Sequence, residues 1–153
     1  MNDQQQLERA FSIALHAHAE QVDKQGQPYF LHLVRVMLRL PDETARTVAL
    51  LHDLLEDTDW DEAALRDEGF APQIVDAVMA LTRREHETYQ QFIDRAGQNP
   101  LARRVKIADL EDNLSRIDAL AAIDPDRAAS LRNRYQKAYQ TLTQRPYVHT
   151  QGS

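Results

Sequence analysis

The sequence predicts a single all-α domain, and three observations support this prediction. Apolar residues recur at helical spacing over most of the 153 residues. No segment alternates between apolar and polar residues for long enough to form a convincing strand. Hydrophobic residues make up 42% of the chain and charged residues 27%, a composition typical of globular proteins. We therefore expect one compact helical bundle over residues 1–143, followed by a frayed tail over residues 144–153.

Prolines and capping residues divide the bundle into eight predicted helices. Pro41 ends one helix, whereas Pro72 and Pro100 suit the first turn of another, where a missing N–H costs nothing. Asp59, with Glu62 three residues later, resembles a capping box. The predicted helices cover residues 7–18, 30–40, 42–58, 59–69, 72–81, 89–96, 100–114 and 124–142.

One segment, residues 50–58, places four reactive side chains inside an apolar stretch. On a continuous helix, His52, Asp53, Glu56 and Asp57 would span roughly 140° of the circumference and form one patch. Carboxylates are disfavoured at a helix C-terminus unless a cation compensates them. The pattern therefore predicts a metal ion at the end of this helix.

Further ligands for such an ion must come from elsewhere, and they must be histidines or carboxylates because the chain has no cysteine. His32 lies among apolar residues of the second helix, a position that more often belongs to a core residue. Lys106, Asp109 and Asn113 share one face of a later helix, where a Lys–Asp pair is usually a surface ion pair. Each position is therefore a weak candidate by itself.

Three segments, taken in order, resemble a known family. They are residues 24–32 (KQGQPYFLH), residues 50–58 (LLHDLLEDT) and residues 106–113 (KIADLEDN). Their pattern is similar to that of HD-domain metal-dependent phosphohydrolases, especially the hydrolase domain of the RelA/SpoT family and its small single-domain relatives. Those enzymes remove pyrophosphate from the 3′ position of guanosine tetra- and pentaphosphate.

The resemblance implies an HD-type hydrolase domain over residues 1–143, with a metal site in a central cleft. The implied metal ligands are His32, His52, Asp53 and Asp109. Family precedent points to Mn²⁺, and a mixed nitrogen and oxygen ligand set also suits Fe²⁺ or Zn²⁺. The residues implied to handle water and protons are Glu56 and Asp57, and those implied to contact phosphate or ribose are Lys24, Lys106 and Asn113.

Three positions depart from the family pattern, namely Asp23, Leu110 and Asp112. Each replaces a basic or titratable residue of the family and favours a less highly charged substrate. One alternative is therefore an HD-domain phosphohydrolase that acts on another nucleotide or small phosphoester. A second alternative is a non-catalytic nucleotide-binding HD domain.

Charge and hydropathy limit the partners of the protein. The net charge of −6 argues against nucleic acid, which needs a basic surface, and leaves a phosphorylated nucleotide or other small phosphoester. Because no apolar stretch approaches membrane-spanning length and the N-terminus does not resemble a signal peptide, we expect a cytoplasmic protein that does not bind membranes. The pattern does not predict the oligomeric state. We expect Arg83 in a solvated loop and Tyr89 in the core.

Overall fold

The computed structural model describes residues 1–148, which form ten α-helices and no strand beyond an isolated bridge between Val22 and Pro28. The all-α prediction is therefore confirmed. No helix in this part of the chain has both the length and the apolarity needed to cross a membrane. The helices are α1 (Asp3–Ala17), α2 (Phe30–Leu38), α3 (Glu43–Leu51), α4 (Leu54–Asp57), α5 (Glu62–Asp67), α6 (Pro72–Ala80), α7 (Tyr89–Gly97), α8 (Pro100–Ser115), α9 (Ile117–Ala121) and α10 (Pro125–Thr143).

Helix α3 is the centre of the bundle. Its residues from Thr47 to Leu51 are fully buried, and α1, α2, α6 and α8 pack around it. Its last turn, residues 48–51, is apolar on every side and therefore needs neighbours on every side, which explains this position. The C-terminal end of α3 therefore delivers the next residues, His52 and Asp53, to the interior of the molecule.

Side-chain caps begin most of the longer helices, since they accept hydrogen bonds from N–H groups that the first turn leaves free. The caps of α1, α3, α5, α7, α8 and α10 are Asn2, Asp42, Asp61, Thr88, Asn99 and Asp124. The predicted cap Asp59 is wrong, because the side chain of Asp61 accepts the hydrogen bond from the Ala64 N–H at 2.8 Å.

The predicted continuous helix through residues 42–58 is also wrong. Helix α3 ends at Leu51, Asp53 adopts φ −104° and ψ 3°, and a new short helix begins at Leu54. The imidazole of His52 bonds to the carbonyl of Ala49 at 2.6 Å, giving a partner to a group that the helix end leaves free. The apolar pattern continues through the break because Leu54 is itself a fully buried core residue.

This break changes the electrostatic argument for a cation. Glu56 and Asp57 lie in the first turn of α4 rather than in the last turn of a long helix. Carboxylates are not disfavoured at a helix N-terminus, so the helix dipole gives no reason to expect a metal ion there. The case for a metal ion must rest on the side chains themselves.

The C-terminal part of the chain adds a second apolar cluster. Helix α8 ends at Ser115, and the short α9, which the sequence did not predict, packs with α10 around Ile117, Leu120 and Ala128. Helix α10 ends at Thr143, close to the predicted end at residue 142. Beyond it, Tyr147 packs edge-on against Tyr139 with ring centroids 5.4 Å apart. Residues 149–153 of the predicted frayed tail lie outside the described residues.

Candidate active site

Three helices bring the strongest metal-ligand candidates together. His32 comes from α2, His52 follows α3, and Asp109 comes from α8. One ligand atom from each of these buried side chains lies within 4.8 Å of the other two. His52 and Asp109 lie 20 and 77 positions after His32 along the chain. Only the packing of the three helices could therefore create this group.

The ring of His52 is fixed in one orientation. Its Nδ1 lies 2.6 Å from the carbonyl oxygen of Ala49, and because a carbonyl only accepts, Nδ1 carries the hydrogen. Its Nε2 is buried and lacks a hydrogen-bond partner within residues 1–148. That nitrogen lies 3.2 Å from an oxygen of Asp53 and 3.4 Å from an oxygen of Asp109. Burial lowers the pKa of His52, but these carboxylates outweigh it and raise the pKa overall.

His32 is held from both sides by carboxylates. Its Nδ1 lies 2.7 Å from Asp112, and its Nε2 lies 2.8 Å from Asp109. Burial lowers the pKa of His32, whereas the two hydrogen bonds outweigh it and raise the pKa to about 9. Asp112 also accepts a hydrogen bond from Nε of Arg35 at 2.9 Å. In the sequence, Asp112 stands out only as a departure from the family pattern, and its support of His32 was not predicted.

Asp109 connects the predicted metal ligands to the predicted phosphate-binding residues. Its Oδ2 accepts a hydrogen bond from Nζ of Lys106 at 2.8 Å. The amide nitrogen of Asn113 lies 3.4 Å from Oδ1, the oxygen that contacts His32. Burial opposes ionisation of Asp109, but Lys106 and His32 outweigh it and hold the pKa well below its usual range. Burial likewise disfavours the charged ammonium of Lys106, yet Asp109 raises the pKa of Lys106 overall. This shared helix face was predicted from the spacing.

Asp53 lies at the edge of the buried group. It is more exposed than the other three candidates, and its ligand atoms do not fall within the 4.8 Å set. The hydroxyl of Tyr29 donates a hydrogen bond to its Oδ2. Burial, followed by Asp53, raises the pKa of Tyr29, so the phenol stays protonated as the donor. Tyr29 therefore orients this carboxylate toward His52.

Glu56 and Asp57 lie at the opening of the cleft and are not hydrogen-bonded to the three buried ligands. An oxygen of Glu56 accepts a hydrogen bond from the backbone N–H of Arg83 at 2.5 Å. Partial desolvation, together with the charge of Asp53, raises the pKa of Glu56 and of Asp57. The two carboxylates are therefore separate from the metal ligands and better proton acceptors than ordinary side chains.

The loop between α1 and α2 carries Lys24 to the cleft. Asp23 shapes this loop by accepting hydrogen bonds from the N–H groups of Gln25 and Gln27, each at 2.9 Å. Gly26 adopts φ 82°, a conformation that residues with a Cβ rarely adopt. Asp23 therefore has a structural role at a position where the family has a basic residue.

The two other departures from the family pattern lie outside the cleft lining. Leu110 is fully buried in the main core, and Asp112 points to His32 and Arg35. Neither is among the residues that line the cleft. In this structure, the lack of a basic residue at 110 therefore removes no charge from the cleft.

The cleft has a volume of about 720 Å³, with Asp109 and His32 among its lining residues. Seven cationic side chains and five carboxylates line it, although the whole chain has a net charge of −6. The cleft is also lined by the predicted proton-handling residues Glu56 and Asp57, by the predicted ligand Asp53, and by the predicted substrate contacts Lys24, Lys106 and Asn113. Arg83, which was expected in a solvated loop, also lines the cleft. Several residues of α10 line it as well and were not predicted; their spacing on one helix face was the available signal. Tyr89 packs against the core as expected and also lines the cleft.

These residues fit a divalent metal ion. The unpartnered Nε2 of His52 and the nearby oxygens of Asp53 and Asp109 are all acceptors when the ring is neutral, so they repel one another unless a cation or a proton lies between them. The hydrogen bonds from His52 to Ala49 and from His32 to Asp112 are the kind that orient metal-bound imidazoles. Imidazole and carboxylate ligands suit a transition metal better than Ca²⁺.

Comparisons with known proteins identify the family of this chain. The family described as HD domain matches residues 10–147. The guanosine-3′,5′-bis(diphosphate) 3′-pyrophosphohydrolase of Aquifex aeolicus is 30% identical over 122 residues, which are 72% of this chain and 17% of that protein. The enzyme of the same name from Haemophilus influenzae is 32% identical, over 87% of this chain and 21% of its own length. The probable GTP pyrophosphokinase of Mycobacterium leprae is 32% identical, over 89% of this chain and 18% of its own length.

A solved structure shows the same fold. It is a metazoan ortholog of SpoT, described as hydrolysing ppGpp, and the alignment covers 90% of this chain and 85% of that one. The TM-score is 0.75 and the sequence identity 24%. The chain spans only about a fifth of the length of the curated relatives above.

The chain therefore belongs to the HD domain family. The similarity to proteins of the RelA/SpoT family confirms the resemblance seen in the sequence. The family and the group formed by His32, His52 and Asp109 together support a site for a divalent metal ion.

Proposed function

We propose that this chain is a metal-dependent phosphohydrolase that removes pyrophosphate from the 3′ position of guanosine 3′,5′-bis(diphosphate). The main support is the unpartnered Nε2 of His52, which faces two carboxylates inside a cleft lined by seven cationic side chains. A buried metal site beside separate carboxylates and cations suits phosphoester hydrolysis. The names of the relatives from A. aeolicus and H. influenzae support this substrate.

The proposed metal ligands are His32, His52, Asp53 and Asp109, and the proposed metal is Mn²⁺. When bound, the ion would supply positive charge that polarises the phosphoryl group and acidifies water. Asp112 and Ala49 orient the two imidazoles through their Nδ1 atoms, while Tyr29 orients Asp53. Asp109 accepts a hydrogen bond from Lys106, so all four proposed ligands are held by hydrogen bonds to residues outside the group.

Glu56 and Asp57 are the proposed proton carriers. The water oxygen forms the new bond to phosphorus while one of its protons passes to Glu56, whose raised pKa makes it a better base. The bond between phosphorus and the 3′ oxygen breaks, and that oxygen takes up a proton. Asp57, whose pKa is also raised, either delivers this proton or orients the water.

Lys24, Lys106 and Asn113 are the proposed contacts to phosphate or ribose. The ammonium of Lys106 has one hydrogen bond to Asp109 and two further donor positions near the metal group. Lys24 lies on the loop between α1 and α2 and lines the same cleft as Glu56 and Asp57. Such cations neutralise charge that develops on phosphoryl oxygens during transfer.

Three further predictions belong with this proposal. The hydrolase domain extends over residues 1–143, the protein is cytoplasmic, and its partner is a small phosphorylated molecule rather than nucleic acid. The number of cationic side chains in the cleft favours a substrate with several phosphates over a nucleoside monophosphate.

The proposal is tested by metal analysis of the purified protein and by hydrolysis assays on a panel of nucleotides with and without Mn²⁺. We expect Mn²⁺-dependent release of pyrophosphate from guanosine 3′,5′-bis(diphosphate). His52→Ala should lose both metal and activity. Glu56→Gln should keep the metal and lower kcat by roughly 100-fold or more, as expected for a general base.

His16→Ala is the matched control, because His16 is an exposed histidine of α1 outside the cleft. Unchanged metal content and activity in His52→Ala would exclude the proposed site. Tight nucleotide binding without turnover under any metal would instead support a non-catalytic HD domain. Faster turnover of another phosphoester would replace the proposed substrate and keep the reaction class.

A further inference from the structure

The cleft extends well beyond the metal site, to a wall formed by α9 and α10. Four residues of α10 line it, namely Arg127, Leu131, Arg134 and Tyr135. The last three lie four, seven and eight positions after Arg127, and this spacing places all four on one face of the helix. Ile117 and Leu120 line the same region from the start and middle of α9. This wall therefore combines an apolar surface with two arginines.

The cations on this wall are not neutralised by the protein. Arg127 and Arg134 form no salt bridge with any carboxylate in residues 1–148, and the same holds for Arg116, which precedes α9. The Nε of Arg116 is buried and has no hydrogen-bond partner in the described chain. Arg35, by contrast, lines the cleft but is paired with Asp112 at 2.9 Å. An unpartnered buried donor in the same cleft as two unpaired guanidinium groups indicates a site for an anion.

One of these arginines is held against the cleft wall. The guanidinium carbon of Arg134 lies 4.8 Å from the ring centroid of Tyr89, within the range of a cation–π interaction. The ring of Tyr89 also has Arg83 at 5.9 Å, and its hydroxyl is buried without a partner in the part of the chain that is described. Arg134 is therefore positioned before a ligand binds.

The two arginines of α10 are separated along the cleft. Seven residues of α-helix correspond to roughly 10 Å between Arg127 and Arg134. Leu131 lies between them on the same face, with Leu120 of α9 nearby in the small apolar cluster. A ligand that matches this wall carries an apolar ring and at least one anionic group distant from the metal.

We propose that Arg116, Arg127 and Arg134 form a second anion-binding subsite, which holds a phosphate group that the reaction leaves intact. The preferred substrate then carries phosphate groups at two separate positions, with its ring system against Leu131. This inference rests on the proposed function and deepens it, since it assigns residues to the selection of a doubly phosphorylated nucleotide. It also supplies cationic residues to a cleft in which Asp23 replaces a basic residue of the family pattern.

The test compares two substrates and one pair of variants. The substrates are guanosine 3′,5′-bis(diphosphate) and guanosine 3′-diphosphate, which lacks the 5′ group. The variants are the double substitution Arg127→Gln/Arg134→Gln and the control Lys137→Gln, which removes a positive charge from an exposed part of α10 outside the cleft. Dissociation constants are also measured by calorimetry in EDTA, so that binding is read without turnover.

The double variant should lower kcat/KM for the bis(diphosphate) roughly 10- to 100-fold more than for the 3′-diphosphate, mainly through KM. In EDTA, the double variant should also lose more affinity for the bis(diphosphate) than for the 3′-diphosphate. Lys137→Gln should keep the wild-type ratio between the two nucleotides. An equal loss with both nucleotides, or no loss, would overturn the subsite. Selective binding that is lost in the double variant, but with no turnover by the wild type under any metal, would refute the proposed function and leave the subsite standing. Turnover of the bis(diphosphate) by the wild type, together with an unchanged selectivity ratio in the double variant, would support the proposed function and refute the subsite.

Discussion

The imidazole of His52 has its two nitrogens in very different surroundings. Nδ1 donates to the carbonyl of Ala49, while Nε2 is buried, unpartnered within residues 1–148 and close to two carboxylates. The first contact decides the tautomer of the neutral ring and thereby decides which atom is free for a metal ion. A single backbone contact thus prepares this residue for its proposed role.

Asp112 gives the same kind of support to the other histidine. It holds Nδ1 of His32 at 2.7 Å and is itself held by Arg35 at 2.9 Å. The side chain of Asp112 is almost fully buried, which excludes a direct role at the cleft surface. Its position relative to His32 could not be predicted, because the two residues are 80 positions apart.

We predict that Asp112→Asn weakens Mn²⁺ binding by roughly 10- to 100-fold, the usual effect of removing an outer-shell partner of a metal ligand. An asparagine still accepts a hydrogen bond but no longer places a negative charge behind the ring. Calorimetric titration of the metal-free protein with Mn²⁺ measures the change. Asp67→Asn, an exposed aspartate at the end of α5, is the control. Wild-type affinity in Asp112→Asn would show that this carboxylate has only a structural role.

At the scale of helices, the break between α3 and α4 decides the arrangement of the site. It leaves His52 and Asp53 between two helices, with Glu56 and Asp57 in the first turn of the second. On one continuous helix, the four side chains would share a single patch. The break separates the proposed metal ligands from the proposed proton carriers.

Helix α5 offers a direct test of a cap assignment. Asp61 accepts the N–H of Ala64 at 2.8 Å, whereas Asp59 caps no helix. Asp61→Ala should lower the free energy of unfolding by about 1 kcal/mol, the usual cost of losing an N-cap. Asp59→Ala should change it by less than about 0.5 kcal/mol, as for most surface substitutions. Urea unfolding of both variants measures these values, and a larger loss in Asp59→Ala would contradict the structure.

The loop between α6 and α7 is fastened by one ion pair. Arg95 of α7 binds both oxygens of Glu87, at 2.8 and 3.0 Å, and also the backbone carbonyl of Thr82 at 2.8 Å. The same loop provides the N–H of Arg83 that bonds to Glu56. Hydrogen bonds from Arg95 lower the pKa of Glu87 from its ordinary 4.5 to about 2. The loop that positions Glu56 therefore depends on an ionised Glu87.

We predict a pH-dependent stability difference between the wild type and Glu87→Gln. Because the pKa of Glu87 is lower in the folded state, its contribution is complete above about pH 4.5 and is lost as the pH falls toward about 2. The wild type should be more stable by about 2 kcal/mol at pH 7, and the difference should shrink below pH 4.5. Urea unfolding at several pH values measures it. Glu85→Gln in the same loop is the control, since Glu85 is exposed, and a difference that grows at low pH would contradict the assignment.

At the scale of the whole molecule, charge is distributed unevenly. The chain has a net charge of −6, yet the cleft is lined by seven cations and five carboxylates. A local field of this sign attracts phosphorylated ligands into the cleft, while the remaining surface repels polyanions. Composition alone could not show this, because it depends on which arginines the fold brings to one surface.

Metal binding should stabilise the entire fold, because the ligands come from three helices that pack against the same core. At a free Mn²⁺ concentration 100 times its Kd, the free energy of unfolding should rise by about 2.7 kcal/mol. Thermal unfolding with Mn²⁺ and with EDTA measures the shift. His52→Ala should abolish the shift, and His16→Ala should retain it. An equal stabilisation of His52→Ala would place the ion elsewhere.

Much of the fold follows from local features of the sequence. Helical periodicity predicts α1, α2, α6, α7 and α10, because amphipathic spacing and proline or capping signals act within a few residues. The break at His52 was not predictable, since the apolar pattern continues through Leu54 and the contact that ends α3 comes from a side chain. The same limit applies to Asp61, which lies two residues from an equally suitable cap.

Some features of the site also follow from the sequence, whereas others depend on the tertiary structure. The sequence by itself determined the family, because residues 50–58 carry a motif whose residue types and spacing resemble those of HD-domain enzymes, and the HD domain family matches residues 10–147. Only the tertiary structure decided that Leu110 is a core residue, that Asp112 supports His32, and that arginines of α10 line the far wall of the cleft. The physical reason is distance along the chain: a motif records neighbours in sequence, whereas burial, orientation and local charge depend on residues that only helix packing brings together.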